Sequence, residues 1–276
     1  MRVSNLLVVV LGVVALVVSA AIAWRGRRLP PVAPRTLPAT AGASALDALR
    51  TLAGTVGAAV IAGVLVAGLG GRLVMRVLAA TSGNGAQGRL TEADEVVGDI
   101  TFGGTLGFVI FVGIVIPVAA GFLYLLLRRF VPTAAILAGL VFGVLLLGTF
   151  GIDDPMASDN VDFDILSPLW LAVASITGLS LLFGVTFAAL AARFDAGLPA
   201  LGATWRAVPA HAGLLVAVLP PFFVVTVPYV ALRAILHGRT RPLLDWPPVR
   251  TTGRVLVGLG TAAAGLASLA TAVEIL

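Results

Sequence analysis

The stretch LLVVVLGVVALVVSAAIA (residues 6–23), followed directly by WRGRR (residues 24–28), decides the fold of this chain. A helix of about 20 mainly apolar residues crosses a hydrocarbon core roughly 30 Å thick, and the apolar residues 3–23 reach that length. Ala21-Ile22-Ala23 resembles a signal-peptide cleavage site, but signal peptides carry their positive charge before the apolar core. Because the arginines follow the core here, we predict an uncleaved helix with an extracytoplasmic N-terminus.

The composition of the whole chain indicates the same class of protein. Of its 276 residues, 59% are hydrophobic and 11% are charged, and the mean hydropathy is +1.08. Soluble domains contain about 45–50% apolar and 25% charged residues, so a water-soluble protein is excluded. All 18 basic residues are arginine and there is no cysteine, which excludes lysine and cysteine chemistry and disulfides. The net charge of +5 comes from arginines beside apolar segments, which favours cytoplasmic loops and membrane lipid as partner rather than nucleic acid.

Seven apolar segments are long enough to enter a membrane. They are residues 3–23, 51–70, 104–127, 133–151, 168–192, 209–235 and 252–276. We therefore predict an all-α fold, a polytopic transmembrane helical bundle with about seven membrane segments, forming a single integral membrane domain over residues 1–276. Residues 24–50, rich in proline and arginine, are predicted to form an extended cytoplasmic linker. The expected location is a bacterial cell membrane.

The sixth segment, residues 209–235, is broken by Pro220-Pro221 and has two interpretations. A single kinked span would leave nine arginines on each side of the membrane, against the rule that arginine collects in the cytoplasm. A re-entrant hairpin turning at the prolines would give fourteen inside and four outside. Irregular backbone at membrane depth needs cover by protein or water. We predict the single span, since its 27 residues are long enough, and keep the hairpin as the alternative.

Polar residues collect in a candidate extracytoplasmic cluster. Arg72 and Arg76 are four apart and share one helix face, where they suit a lipid phosphate, an acidic partner or simple snorkelling to the interface. We expect ion pairs between these arginines and two acidic loops to dock the loops over the bundle. The acidic members are Glu92, Asp94, Glu95 and Asp99 in the first loop and Asp153, Asp154, Asp159, Asp162 and Asp164 in the second.

Local patterns add three expectations. Thr91 and Asp94 resemble a capping box, which predicts a short helix beginning at Glu92. Gly103 and Gly107 form GxxxG, which permits close helix approach. The last segment, GLGTAAAGLASLATA (residues 258–272), consists almost wholly of small residues, so we expect it to pack against several neighbours or a second copy of the chain.

The runs GRLVMRVLAATSG (71–83), GRLTEADEVVG (88–98), ITFGGTLGF (100–108) and DNVDFDILSPLWL (159–171) resemble a group of uncharacterised multi-pass membrane proteins of actinobacteria. The likeness covers residues 67–192 and implies a membrane location and a helical architecture. It supplies no activity.

Three functions stay open at this point. The first is a non-enzymatic structural or accessory protein whose extracytoplasmic loops dock together or bind a partner or lipid. The second is a transporter or channel using the sixth segment, although no Asp, Glu, Asn or His lies near the middle of a confident span. The third is a metal-dependent enzyme acting on lipid phosphates, because hard cations prefer oxygen ligands. We assign no catalytic residue, cofactor or metal ligand, and we expect the first function.

Overall fold

The computed structural model describes residues 3–27 (side chains from Leu6), 40–92, 96–99, 101–199, 201, 211–236 and 246–276. These residues are helical apart from loops and one isolated β-bridge. The helices are α1 (Val3–Gly26), α2 (Ala41–Thr81), α3 (Phe102–Leu127), α4 (Ala135–Gly151), α5 (Asp162–Ile165), α6 (Leu169–Gly197), α7 (Gly213–Ala217), α8 (Pro220–Ile235) and α9 (Pro247–Ile275).

Five helices are long and apolar enough to cross a membrane, namely α1, α2, α3, α6 and α9. Two shorter apolar helices, α4 and α8, accompany them. This confirms the predicted all-α fold with membrane-length helices, whereas the predicted count of seven spans is not confirmed. Helix α2 begins at Ala41, where the Thr40 side chain accepts a hydrogen bond from the Ala43 amide at 3.2 Å. The predicted linker over 24–50 is therefore helical in its last ten residues, because this cap starts the helix earlier than hydropathy alone suggests.

Long helices that follow one another along the chain run antiparallel, which gives the bundle two distinct ends. Contacts pair the early part of α2 with the late part of α6, since Gly54 faces Phe194 and Gly70 faces Leu179. We call the end where α1, α3 and α6 finish and α2, α4 and α9 begin the basic end. The opposite end, where the loops 82–101 and 152–168 lie, is the capped end.

The centre of the bundle is packed with aromatic rings. Tyr124 meets Phe142 and Phe187 edge-on, at centroid distances of 5.1 and 4.9 Å. Phe142 and Phe187 are fully buried, so α3, α4 and α6 share one core. Edge-to-face ring pairs stabilise such cores by about 0.5–1.5 kcal/mol beyond the area that they bury.

A close approach between helix backbones lies where α4 crosses α6. A Cβ added at Gly139 would lie 2.5 Å from Val185 Cα, and one added at Gly184 would lie 2.7 Å from Gly143 N. The expectation that Gly103 and Gly107 mediate close approach was wrong, since a Cβ at either position would meet nothing within 4 Å. The first turns of α3 are largely exposed, so no helix lies close enough to use that motif.

Helix α9 contacts the bundle along one side only. Gly148 of α4 lies against Ala264, and Phe130 lies against Gly253. Most of the other α9 side chains are exposed, including Leu259, Leu266 and Leu269. The expectation that this helix packs against several neighbours within the chain is therefore not met, because a single contact face suffices to hold it.

The described part of the sixth segment folds back on itself as a helical hairpin. At its start, a Cβ on Gly213 would touch Gly57 N of α2 at 2.7 Å. At its end, Arg233 pairs with Asp47 of α2 at 3.1 Å. Twenty residues of continuous helix would separate these two points by about 30 Å, yet their partners in α2 are only ten residues apart. The two described ends of this segment therefore both lie toward the basic end, and the predicted single span is not confirmed.

The tip of the hairpin leaves few backbone groups without a partner. Pro220 and Pro221 open α8 and have no N–H, and the Phe222 and Phe223 amides both donate to the Leu219 carbonyl, at 2.9 and 2.8 Å. The Thr226 hydroxyl donates to the Ala217 carbonyl at 2.8 Å and joins the two arms. The orphan donors that normally begin a helix are thus missing or satisfied.

Candidate functional site

The two ends of the bundle carry opposite charge. The described arginines at the basic end are Arg25, Arg27, Arg50, Arg128, Arg129, Arg193, Arg233, Arg250 and Arg254, and the described acids there are Asp47 and Asp195. The described arginines at the capped end are Arg72, Arg76 and Arg89, and the described acids there are Glu92, Asp99, Asp153, Asp154, Asp159, Asp162, Asp164 and Glu274. The predicted polar cluster therefore lies at the capped end.

Arg72 lies inside the bundle, unlike an arginine that snorkels to the interface. It is 8% exposed, its guanidinium lies 4.8 Å from the centre of the Phe108 ring, and one nitrogen is 3.7 Å from the Met75 sulfur. The guanidinium is attracted to the negative face of the ring. Arg76 lies one turn further on and donates to the Gly98 carbonyl at 3.2 Å. Arg76 thus contacts the first acidic loop, and both arginines lie on one continuing helix as predicted.

The first acidic loop is held by backbone hydrogen bonds. Leu90 and Val96 form an antiparallel bridge, and the Val97 amide donates to the Arg89 carbonyl at 2.9 Å. The prediction of a helix beginning at Glu92 was wrong for the described residues, because this bridge brings the two sides of the loop together. Glu92 and Asp99 are exposed, and Asp94 and Glu95 lie outside the described residues.

The second acidic loop turns most of its carboxylates outward. Asp153, Asp154, Asp159 and Asp164 are exposed, whereas Asp162 is half-buried. Asp162 accepts a hydrogen bond from the Glu92 amide at 3.0 Å, which links the two acidic loops directly. An amide donating to an ionised carboxylate is one of the stronger hydrogen bonds in proteins.

A seam of hydroxyl groups joins the second loop to the end of α2. The Thr81 hydroxyl donates to the Ser167 carbonyl at 2.9 Å, and the Ser167 amide donates to the Ser82 hydroxyl oxygen at 2.8 Å. Ile165 packs on Ala79 beside this seam. We call the two loops, residues 82–99 and 152–168, the cap.

A second apolar anchor holds the far side of the cap. Met156 is fully buried and packs with Leu147, Val173 and Ile275. Hydrogen bonds and apolar contacts thus dock the loops in the described residues, and the expected ion pairs from Arg72 and Arg76 to the acids stay a prediction.

The described carboxylates of the cap are not gathered around one point. In the portion of the chain that the structure describes, no three acidic or histidine side chains converge as metal ligands would. Exposed, separated carboxylates instead form a broad negative surface. Such a surface attracts cations and basic segments by long-range electrostatics.

A second polar group, at the basic end, was not found by reading the sequence. Arg128 pairs with Asp195 at 3.2 Å, and Arg50 donates to the Asp195 carbonyl at 3.4 Å. Beside them, Arg233 pairs with Asp47 at 3.1 Å. In the sequence, Asp47 and Asp195 are single acids in stretches whose other charged residues are arginines. That pattern could have predicted their ion pairs.

No protein-family model, curated protein or solved structure matches this chain. The resemblance of residues 67–192 to an actinobacterial membrane-protein group therefore stays a prediction.

Proposed function

We propose that this chain is a non-enzymatic, multi-pass membrane protein whose docked extracytoplasmic loops present a fixed acidic surface to a partner or to lipid headgroups. The observation that carries the proposal is the bond from the Glu92 amide to Asp162. Together with the Ser82–Ser167 seam, it joins loops that are about 70 residues apart in sequence. Ordering two loops costs conformational entropy, which these contacts must offset. The result of that ordering is an outer surface with a fixed shape.

The charge distribution supports an orientation for this arrangement. Arginine collects on the cytoplasmic side of membrane proteins, so the basic end is cytoplasmic and the cap is extracytoplasmic. The chain then crosses the membrane six times, through α1, α2, α3, α4, α6 and α9. The α7–α8 hairpin enters and leaves from the cytoplasm, and the beginning of α1 is extracytoplasmic. A bacterial cell membrane is the location that fits this arrangement.

The hairpin gives less support to a transporter or channel. Residues at its tip, including Val218 and Leu219, are exposed on the outside of the bundle, where lipid lies. A re-entrant segment that lines a pore instead needs water or protein around its irregular backbone. Because the prolines and the Leu219 carbonyl satisfy the tip, lipid can surround it.

The metal-dependent enzyme is also less well supported, because the carboxylates of the described cap point apart. A cation site needs several oxygen ligands within about 2.3–2.6 Å of one point. The outward-facing Asp153, Asp154 and Asp159 suit a partner surface better. The exposed face of α9 is where a second copy of the chain or a membrane-protein partner would bind.

Disulfide trapping tests the docked cap. Because the chain has no native cysteine, only the introduced cysteines can form a disulfide within the chain. In Ser82→Cys/Ser167→Cys, mild oxidation of isolated membranes is expected to join the loops while the protein stays folded. Ser82→Cys/Ser158→Cys is the matched control, since Ser158 is exposed and shares the second loop with Ser167. If both pairs cross-link at the same slow rate, the loops move independently and the proposal fails.

Labelling of intact cells with a membrane-impermeant maleimide tests the orientation. Cysteine at Asp159 is expected to react from outside, and cysteine at Arg250 only after the cells are opened. Cysteine at Leu219, the hairpin tip, is expected to stay unlabelled in both states. Ready labelling at Leu219 from water would instead favour a pore.

A further inference from the structure

The turn that leads from α2 into the first acidic loop contains an asparagine followed by a glycine, Asn84-Gly85. Both residues are exposed, and a Cβ added at Gly85 would meet nothing within 4 Å. Gly83 precedes the turn and Gly88 ends it, with φ angles of +74° and +82° in the left-handed region that favours glycine. Asn84 therefore lies in a non-helical turn that is open to water.

The backbone amide of Gly85 is available to react with the Asn84 side chain. In the described part of the chain this amide donates no hydrogen bond, so the loss of its proton breaks no structural contact. The Gly88 amide, by contrast, donates to the Val97 carbonyl at 3.1 Å. Glycine also has no Cβ, so a ring that includes its nitrogen closes without steric hindrance. Both features favour attack of the Gly85 nitrogen on the Asn84 side chain.

We propose that Asn84 is a site of spontaneous deamidation. The Gly85 nitrogen loses its proton and forms a bond to Cγ of Asn84, the Cγ–Nδ2 bond breaks, and the amide nitrogen leaves with that proton as ammonia. The product is a five-membered succinimide ring. Water then adds to one of the two ring carbonyls and breaks its bond to the Gly85 nitrogen. Addition at Cγ gives aspartate, and addition at the backbone carbonyl gives isoaspartate, in which the main chain runs through the former side chain.

Either product places one further carboxylate on the acidic surface of the cap. The turn is held on both sides of the reacting residues. Before them, the Ser82 hydroxyl oxygen accepts from the Ser167 amide at 2.8 Å, and after them Gln87 Nε2 donates to the Ala79 carbonyl at 2.6 Å. Because the change lies in the open turn between these contacts, the cap is expected to stay docked. The reaction of Asn84 does not depend on what the cap binds, so this inference is independent of the proposed function.

The other two asparagines of the chain, Asn5 and Asn160, have different surroundings. Asn5 lies in helix α1. Asn160 is held by hydrogen bonds at both side-chain atoms, since Nδ2 donates to the Asp154 carbonyl at 3.2 Å and Oδ1 accepts from the Asp162 amide at 2.8 Å. It is also followed by Val161, whose branched side chain hinders ring closure. We therefore expect Asn84 to be converted first.

The test incubates the purified full chain in detergent micelles and follows each asparagine by peptide mass spectrometry. Because the chain has no lysine, trypsin cleaves after Arg76 and Arg89 and releases residues 77–89, which contain Asn84. This peptide is expected to gain the mass difference between an amide and a carboxylate, and fragment spectra assign the gain to Asn84 rather than Gln87. Isoaspartate, detected by enzymatic methylation, should appear in parallel. A sample taken before incubation corrects for conversion during digestion.

The dependence on pH tests the chemical step. The attacking nitrogen must lose a proton, so conversion of Asn84 should be faster at mildly alkaline than at mildly acidic pH. Gly85→Ala adds a Cβ in open space, so the protein should stay folded while conversion becomes several-fold slower. An unchanged rate in Gly85→Ala would contradict attack by this nitrogen.

A second variant separates the structure of the turn from the sequence of the pair. Val161→Gly gives Asn160 the same following residue, yet in the folded chain Asn160 should be converted several-fold more slowly than Asn84, because its side chain is bonded. In denaturant the two rates should become similar. If wild-type Asn84 keeps its amide as long as Asn160 does, or if the two Asn-Gly pairs react equally fast in the folded chain, the open turn does not promote the reaction and the proposal is overturned. Neither result bears on whether the two loops dock.

Discussion

Adding one methyl group to Gly184 should separate the two most closely packed helices of the bundle. The new Cβ would lie 2.7 Å from Gly143 N and 2.8 Å from Gly143 Cα, where ordinary contact begins at 3.4 Å. The obstructing atoms are backbone, so no side-chain rotation relieves them, and α4 must move by about 0.7 Å or more to bring Gly143 N to ordinary contact. Overpacking of this kind costs about 1–3 kcal/mol.

The same substitution at Gly178, two turns earlier in α6, supplies the control. A Cβ there meets nothing within 4 Å, so Gly178→Ala gains only the helix propensity of alanine, up to about 1 kcal/mol. Gly184→Ala has the same gain but also the steric cost, so the two variants should differ by about 2 kcal/mol, or about 30-fold in the unfolding equilibrium.

Equilibrium unfolding in mixed micelles, with sodium dodecyl sulfate as denaturant, measures both free energies of unfolding. Gly184→Ala should be less stable than the wild type and Gly178→Ala equally or more stable. If Gly184→Ala is as stable as Gly178→Ala, the backbones of α4 and α6 are not in contact, and the antiparallel packing inferred from this crossing is wrong.

Two other substitutions test the hairpin and the cap by the same unfolding measurement. Thr226→Val should lose about 0.5–1.5 kcal/mol because the Ala217 carbonyl loses its donor, whereas Thr226→Ser keeps the hydroxyl and should lose clearly less; equal losses would contradict the bond. Met156→Ala should cost about 2–5 kcal/mol, since Met156 is fully buried in the cap. Met75→Ala, at a 41% exposed side chain, should cost much less, and a reversed order would show that the cap is not anchored there.

Hydropathy predicted the five helices that are long and apolar enough to cross a membrane, because that property depends on length and composition; two of the seven predicted spans are shorter helices. Hydropathy could not predict which helix faces meet, because the packing of two helices depends on the complementary shapes of their surfaces. Gly103 and Gly107 have the same spacing as Gly139 and Gly143, yet only the second pair lies against another backbone. The difference lies in α6, where Gly184 is opposite the second pair. A motif on one helix is therefore incomplete without its complement, and that complement is distant in sequence.

The described polar residues of the cap lie at one end as predicted, whereas the contacts found there are of a kind that sequence reading missed, and the predicted ion pairs stay a prediction. The acids and arginines do lie at one end, since loops between antiparallel helices alternate between two sides. Ion pairs were the expected contacts because charged residues are the conspicuous ones. The contacts found are from a backbone amide to Asp162 and between Ser82 and Ser167. Almost every residue has a backbone N–H, so the sequence does not show which of these donors make contacts between loops. Docking of this kind therefore cannot be predicted from composition.

The described helices of the sixth segment fold as a hairpin, which agrees with one of two conflicting sequence signals. The length of the apolar segment favoured a single span. A sufficient length makes a crossing possible but does not require it. The arginine distribution favoured a return to the cytoplasm, and it reflects the free energy of moving guanidinium groups through hydrocarbon, a cost of about 2.5–3.5 kcal/mol each. The remaining objection to a hairpin was its backbone at membrane depth. Pro220 and Pro221 remove that objection, because a helix that opens with two prolines begins without the two donors that lipid could not satisfy. Adjacent prolines inside an apolar segment are therefore compatible with a helical hairpin as well as with a kinked span.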